Sequence, residues 1–219
     1  MRLLTIVIVL FACSGCSLMA SKDPAKADFD FGPLGARASH AKQSSEIDIV
    51  VYEISAPAWM DNSSMYFRLA YQNAARPIPY AQSEWVMSPA ALLTERLRLR
   101  LSDSSVEELR RASAGDAPSY TLRSELFQFE QVFDQPDRSR GVLRLRATLE
   151  GKGVWAQRTF AVEKPAPTAD AAGGVNALTQ CSDELAALIM EWVAVSQASA
   201  EEVAHTRTLA GRARATSTQ

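Results

Sequence analysis

The chain has few of the residues that enzyme chemistry usually requires. Of its 219 residues, two are histidine and three are cysteine. It contains no GxSxG elbow, no HExxH pair and no phosphate-binding loop. His40 falls in a polar connection and His205 in the C-terminal segment, where both read as solvated surface residues. The carboxylates Asp61, Glu84 and Glu130 belong to separate predicted elements, so no pair is set for acid–base work. Asp61, before Asn62-Ser63-Ser64, reads as a turn residue. Gly151-Lys152-Gly153 has a strand after it and no helix, which excludes a dinucleotide loop. The sequence therefore offers no catalytic residue, no metal site and no cofactor site.

A charge excess is missing too. Lys and Arg total 23 against 25 Asp and Glu, a formal charge of −2, which argues against a nucleic-acid binder that must displace counterions from phosphates. Gly and Pro at ten each exclude a collagen-like or low-complexity chain. The longest apolar run, Leu3 to Ala12, is about ten residues, half of the ~20 that a helix needs to cross a bilayer core.

That run follows Arg2 and precedes the small residues Cys13-Ser-Gly-Cys16-Ser17, the pattern of a secretory signal. Ser14 and Gly15 before Cys16, with Ser17-Leu18 after it, resemble a bacterial lipobox. Leu10-Phe-Ala-Cys13 is a competing lipobox, and a signal cleaved near Ala20 without acylation is a further alternative. Gly-Cys-Ser-Leu favours Cys16, although Cys13 stands at the −3 position where Leu is usual. Acylation matters physically because one chain holds a protein at a membrane only marginally, whereas two or three, at ~0.8 kcal/mol per buried methylene, hold it stably. Ser17, not Asp, follows the cysteine, which by the lipoprotein sorting pattern directs the protein to the outer membrane, facing the periplasm. The chain thus divides into a signal peptide (1–15), a polar tether (16–27), a folded domain (28–196) and a C-terminal tail (197–219).

Within the domain, Phe29 and Phe31 alternate with Asp before Gly32-Pro33, a short strand and turn. Ile47 to Ile54 is a strand of β-branched and aromatic residues, and Met65–Tyr71 with Pro79–Val86 form a hairpin around the 73–77 connection. Ser88-Pro89 starts a helix with Ser at the cap and Pro at the first position, carrying Ala90, Leu93, Leu97 and Leu101 at helical spacing. Val106–Ala112 extends or restarts it. Tyr120–Phe133, the stretch holding Leu143, Leu145, Ala147 and Leu149, and Val154–Val162 form a three-stranded meander, with Phe127, Phe129 and Phe133 assigned to one face. From Gly174, Val175, Leu178, Cys181, Leu185, Leu188 and Trp192 share one face of a helix of roughly 20 residues. Beyond Gln197 large apolar residues are few, and the chain either prolongs the helix or trails.

Cys181, among leucines, reads as a small core residue and not a reactive thiol. Arg96, Arg98, Arg100, Arg110 and Arg111 read as the solvated face of a helix, and Arg144 with Arg146 as the outer face of a strand; anionic headgroups or an acidic partner are the functional alternative. The stripes Phe127/Phe129/Phe133 and Tyr66/Trp85 read as core.

Five segments in order carry a resemblance: Asp28-Phe-Asp-Phe-Gly-Pro33; Ala56-Pro-Ala-Trp-Met-Asp61; Met65-Tyr-Phe-Arg-Leu-Ala-Tyr71; Tyr80-Ala-Gln-Ser-Glu-Trp85 with Pro89 and Leu92-Leu93; and Glu125-Leu-Phe-Gln-Phe-Glu-Gln131. Together, from about residue 28 to Trp192, they resemble the ABC-type transport auxiliary lipoprotein family. The resemblance implies a three-layer α/β domain with a mixed, partly antiparallel sheet and two main helices, and no enzymatic activity. It implies Cys16 as an N-palmitoyl, S-diacylglycerol cysteine in the outer membrane. Its implied partners are an MCE-domain protein and an inner-membrane ABC transporter, which together move lipids or hydrophobic solutes between the membranes. A homo-oligomeric ring is a further expectation, and a carrier holding an acyl chain between helices and sheet is the alternative.

Overall fold

The computed structural model describes residues 25–34, 49–101 and 119–216. Strands β1 (Ala27–Phe29), β2 (Ile49–Val51) and β3 (Ser64–Leu69) precede a one-turn helix α1 (Ala70–Asn73). Strand β4 (Ile78–Trp85) and helix α2 (Pro89–Leu101) come next. Strands β5 (Tyr120–Gln135), β6 (Arg138–Gly151) and β7 (Val154–Pro165) then lead into α3 (Ala171–Thr216).

All seven strands join one mixed sheet in the order β1-β4-β3-β5-β6-β7, with β2 paired to β5 off this path. Strand β5 is long enough to take two parallel partners on the same edge. Its N-terminal half pairs with β2 (Val51 opposite Leu122) and its C-terminal half with β3 (Phe67 opposite Gln131). The expected hairpin β3–β4 and meander β5–β6–β7 are both antiparallel. The β6–β7 turn has Lys152 at φ 42° and Gly153 at φ 78°. Two successive positive φ angles match the right-handed twist of the flanking strands, and the glycine adopts its angle without steric cost.

Leu143, Leu145, Ala147 and Leu149 alternate along β6 and are fully buried, together with Leu122, Leu126 and Phe129 of β5 and Phe160 and Val162 of β7. Helix α3 closes over them with Leu178, Cys181, Leu185, Ile189 and Val193, and α2 adds Leu93 and Leu97. Ser88 sits before α2 as read, its Oγ accepting from the Ala91 N–H at 3.3 Å. Both long helices thus lie over one face of the sheet. Beside the other face stands α1, whose Ala70 lines the same groove as Val132 and Val142. The expected α/β architecture is the one observed, with its layer on the second face reduced to a single turn.

Several local readings are corrected or narrowed. A register shift between Leu126 and Gln128 switches the alternation of β5, so Phe127 leaves the face shared by Phe129 and Phe133 and is exposed. Tyr66 and Trp85 likewise part: Trp85 packs edge-on to Phe31 in the core, while half-buried Tyr66 meets Trp59 on the outer face. Within the predicted 47–54, residues 47 and 48 lie outside the described residues, and β2 (Ile49–Val51) ends before 54 because the chain leaves β5 after Val51 and returns to it at the Ser55 bridge. Of the two readings left open beyond Gln197, prolongation of the helix is the one observed: α3 runs for 46 residues, and its mostly Ala, Glu and Arg continuation has high intrinsic helix propensity.

A further correction concerns Arg96, which is not on a solvated face. It is 5% exposed, and its Nε and Nη2 donate to Asp183 Oδ1 and Oδ2 at 2.8 and 3.0 Å. Its Nη1 donates to the Gly32 carbonyl at 3.1 Å, and Arg100 adds a bond to Asp183 at 3.2 Å. One guanidinium fork thereby ties α2, α3 and the segment after β1. Asp183→Ala strips the buried cation of its bidentate partner and should lower stability by about 2 kcal/mol, read as a drop in the denaturant midpoint without change of slope. Gly141→Ala should cost a similar amount. A Cβ there meets the helix backbone at Leu178 N at 2.9 Å, an overlap that forces α3 off the sheet at a cost of about 1–3 kcal/mol.

Candidate functional site

Of the sequence-predicted site residues, Cys16 lies outside the described residues, as do Cys13, His40, Arg110 and Arg111. Cys181 is described and fully buried, its Sγ donating to the Gly141 carbonyl at 3.5 Å. Burial, the largest cause, pushes its thiol pKa up to about 12 against a smaller opposing pull from Lys164. At neutral pH it is protonated, and the thiol form is a poor nucleophile. Glu84 pairs with Lys26 at the sheet edge, Glu130 with Arg68 on the outer face, and Asp61 stands in the 57–61 turn. The structure does not bring them together. Among the described residues, no group of three His, Cys, Asp or Glu side chains is gathered as a metal would need.

Two open surfaces stand out among the described residues. The first is a groove of about 480 Å³ on the outer sheet face, floored by Phe127, Val132 and Val142 and flanked by Arg68, Arg140, Arg144 and Glu163. Most of its charges are internally matched. Arg68 Nε donates to the buried Glu130 at 2.6 Å, and Arg140 pairs with Asp134 and Glu163. Arg146 pairs with Glu125 and stacks on Phe127 at 4.9 Å. Arg144 and Arg146 do line the outer strand face as read.

The second surface is a cleft of about 600 Å³ between the first turns of α2 and the 53–61 segment. Ile54 N donates to Thr94 Oγ1 at 3.0 Å, and Thr94 Oγ1 donates to the Ala90 carbonyl at 2.7 Å, so one wall is fixed to the helix. Ser55 bonds β5 in both directions, through Ser124 O at 3.0 Å and Leu126 N at 2.8 Å. Met60 N and Asp61 N both donate to the Pro57 carbonyl, at 2.8 and 3.1 Å. Asn62 Nδ2 and Tyr66 OH converge on the Trp59 carbonyl at 2.8 and 3.2 Å. Sequence reasoning missed this cleft, although it singled out Ala56–Asp61 as a motif. Its walls come from segments some 30 residues apart in sequence, joined directly by the Ile54–Thr94 bond.

The described residues thus form an α/β domain with one sheet face sealed by helices, a buried thiol and two open clefts. The chain belongs to the ABC-type transport auxiliary lipoprotein component family, whose model matches residues 30–190. This is a family of transport auxiliaries, not of known enzymes. The fold is similar to that of the crystal structure of protein XCC0632 from Xanthomonas campestris, described under family model DUF330. The TM-score is 0.58 at 17% identity, covering 81% of this chain and 96% of that one. A crystallised uncharacterised protein is similar to the same degree, TM-score 0.58 at 14% identity over 77% and 99% of the two chains. At these identities the likeness speaks for the fold. No curated protein matches the chain. Among the described residues, no helix is long and apolar enough to cross a membrane.

The buried thiol provides a direct check. Cys181 should resist alkylation in the native protein and react at least 100-fold faster in denaturant, because only unfolding exposes it and restores a pKa near 8.5. Its folded pKa is raised, so its contribution to stability is full below about pH 8.5 and falls as pH rises toward 12. Denaturation midpoints measured from pH 8 to 11 should decline less steeply in Cys181→Ala than in the parent.

Proposed function

We propose that the chain is an outer-membrane lipoprotein, acylated at Cys16 as an N-palmitoyl, S-diacylglycerol cysteine and facing the periplasm, where it docks a transport machine. Its partners on this reading are an MCE-domain protein and an inner-membrane ABC transporter, which pass lipids or hydrophobic solutes between the membranes, with several copies of the chain arranged as a ring. The observation that carries the reading is the family match across residues 30–190, downstream of Gly15-Cys16-Ser17. Physical support comes from Arg2 and the short apolar run, which suit export, and from the two or three acyl chains that would hold a soluble domain at a bilayer.

The alternative, a carrier with an acyl chain between helices and sheet, has less support. Leu126, Leu143, Leu145, Leu149, Leu185 and Ile189 fill that layer at 0% exposure. An acyl chain there would need these side chains displaced, and close-packed interiors resist such insertion.

Cys16→Ala should abolish incorporation of labelled palmitate and release the protein from the membrane fraction, while Cys13→Ala should leave both intact. Retention of label and membrane association in Cys16→Ala would sink the anchor assignment. Affinity purification of the tagged wild-type lipoprotein should recover the MCE-domain protein, and its consistent absence would remove the docking role.

A further inference from the structure

The cleft beside α2 has an electrostatic imbalance that its neighbours do not correct. Glu95 and Arg98 pair at 3.1 Å and cancel, but Glu53 and Asp61 on the opposite wall have no cationic partner among the described residues. The N-terminus of α2 brings a partial charge of about +0.5, which two full carboxylates outweigh. The rest of the lining is partly apolar, with Ala56, Ala90, Ala91 and Met87, the last 42% exposed, and partly polar, with Ser55, Ser88 and Thr94. Carboxylates with no cationic partner among the described residues, set beside low-dielectric apolar lining, focus a negative potential into the cleft. The thioether of Met87 is a soft contact able to follow an aliphatic stem. The walls are already fixed by the Ile54–Thr94–Ala90 chain of hydrogen bonds and by the bonds between Ser55 and β5, so little ordering cost is due on binding.

We infer that this cleft seats a basic segment of the periplasmic transport partner, taking a Lys or Arg head between Glu53 and Asp61 and its methylene stem over Met87 and Ala90. The inference rests on the docking role proposed above and specifies the surface that performs it. The outer-face groove is the weaker seat, since its arginines are largely occupied by Glu130, Asp134 and Glu163.

The test uses the full-length acylated protein in detergent micelles and the purified MCE-domain protein, with affinity measured across a salt series. Wild-type affinity should fall as salt rises. Glu53→Lys combined with Asp61→Lys should weaken binding at least 10-fold and flatten the salt dependence, while Arg144→Glu on the opposite surface leaves both unchanged. If the double reversal disturbs folding, as a shifted thermal melt would show, Glu53→Gln with Asp61→Asn should still weaken binding about 3-fold. Wild-type binding that survives these changes, or that is lost in Arg144→Glu instead, overturns the cleft assignment and leaves the docking role standing. No binding by the wild-type chain overturns the docking role and the cleft together.

Discussion

The rest of the structure depends on the burial of one sheet face under α3. The leucines of β6 can be removed from water only if the helix comes close, and the helix comes close because Gly141 has no Cβ to hold it off. The same approach seats Cys181 against the Gly141 carbonyl and aligns Leu178 and Leu185 over Leu143 and Leu145. Each fully buried leucine contributes on the order of 1.5–3 kcal/mol of transfer free energy. Sealing this layer therefore outweighs any single polar contact in the molecule. The inward face is consequently fixed, and the open clefts lie at the perimeter.

Polar contacts set the geometry within that frame. Asp183 takes the fork of Arg96 and a further bond from Arg100, so the angle between α2 and α3 is held by directional bonds as well as by packing. The Gly32 carbonyl on Arg96 brings in the segment after β1, where Phe31 joins Trp85 and Phe129 in an aromatic cluster. Because α2 is positioned this way, its first turn faces the 53–61 segment across the cleft. Surfaces ordered in advance in this way lose little entropy on any contact they make.

Much of this was legible in the sequence. Alternation in β6 and β7 marked the buried face correctly, and the 3.6-residue spacing of Leu178, Cys181 and Leu185 marked the face of α3, because period alone decides which side chains share a surface. The Ser88-Pro89 start of α2 could be read because capping is local chemistry. Phe127 was misassigned because a register shift in β5 leaves no mark in residue type; only pairing with β6 reveals it. Arg96 was misread for a related reason. Its partner, Asp183, lies 87 residues away, and helical spacing cannot tell a buried arginine with a carboxylate partner from a solvated one.

By itself the sequence determined the strands, the helix faces, the family and the absence of a recognisable catalytic motif, because these follow from periodicity and from residues close together in the chain. Tertiary structure alone decided that β5 would take both β2 and β3 along one edge, that Phe127 would face outward and that Arg96 would be buried. It also decided that Glu53 and Asp61 would share a cleft with Met87. Each of these depends on groups distant in sequence meeting across a packed sheet, and no local pattern encodes such meetings.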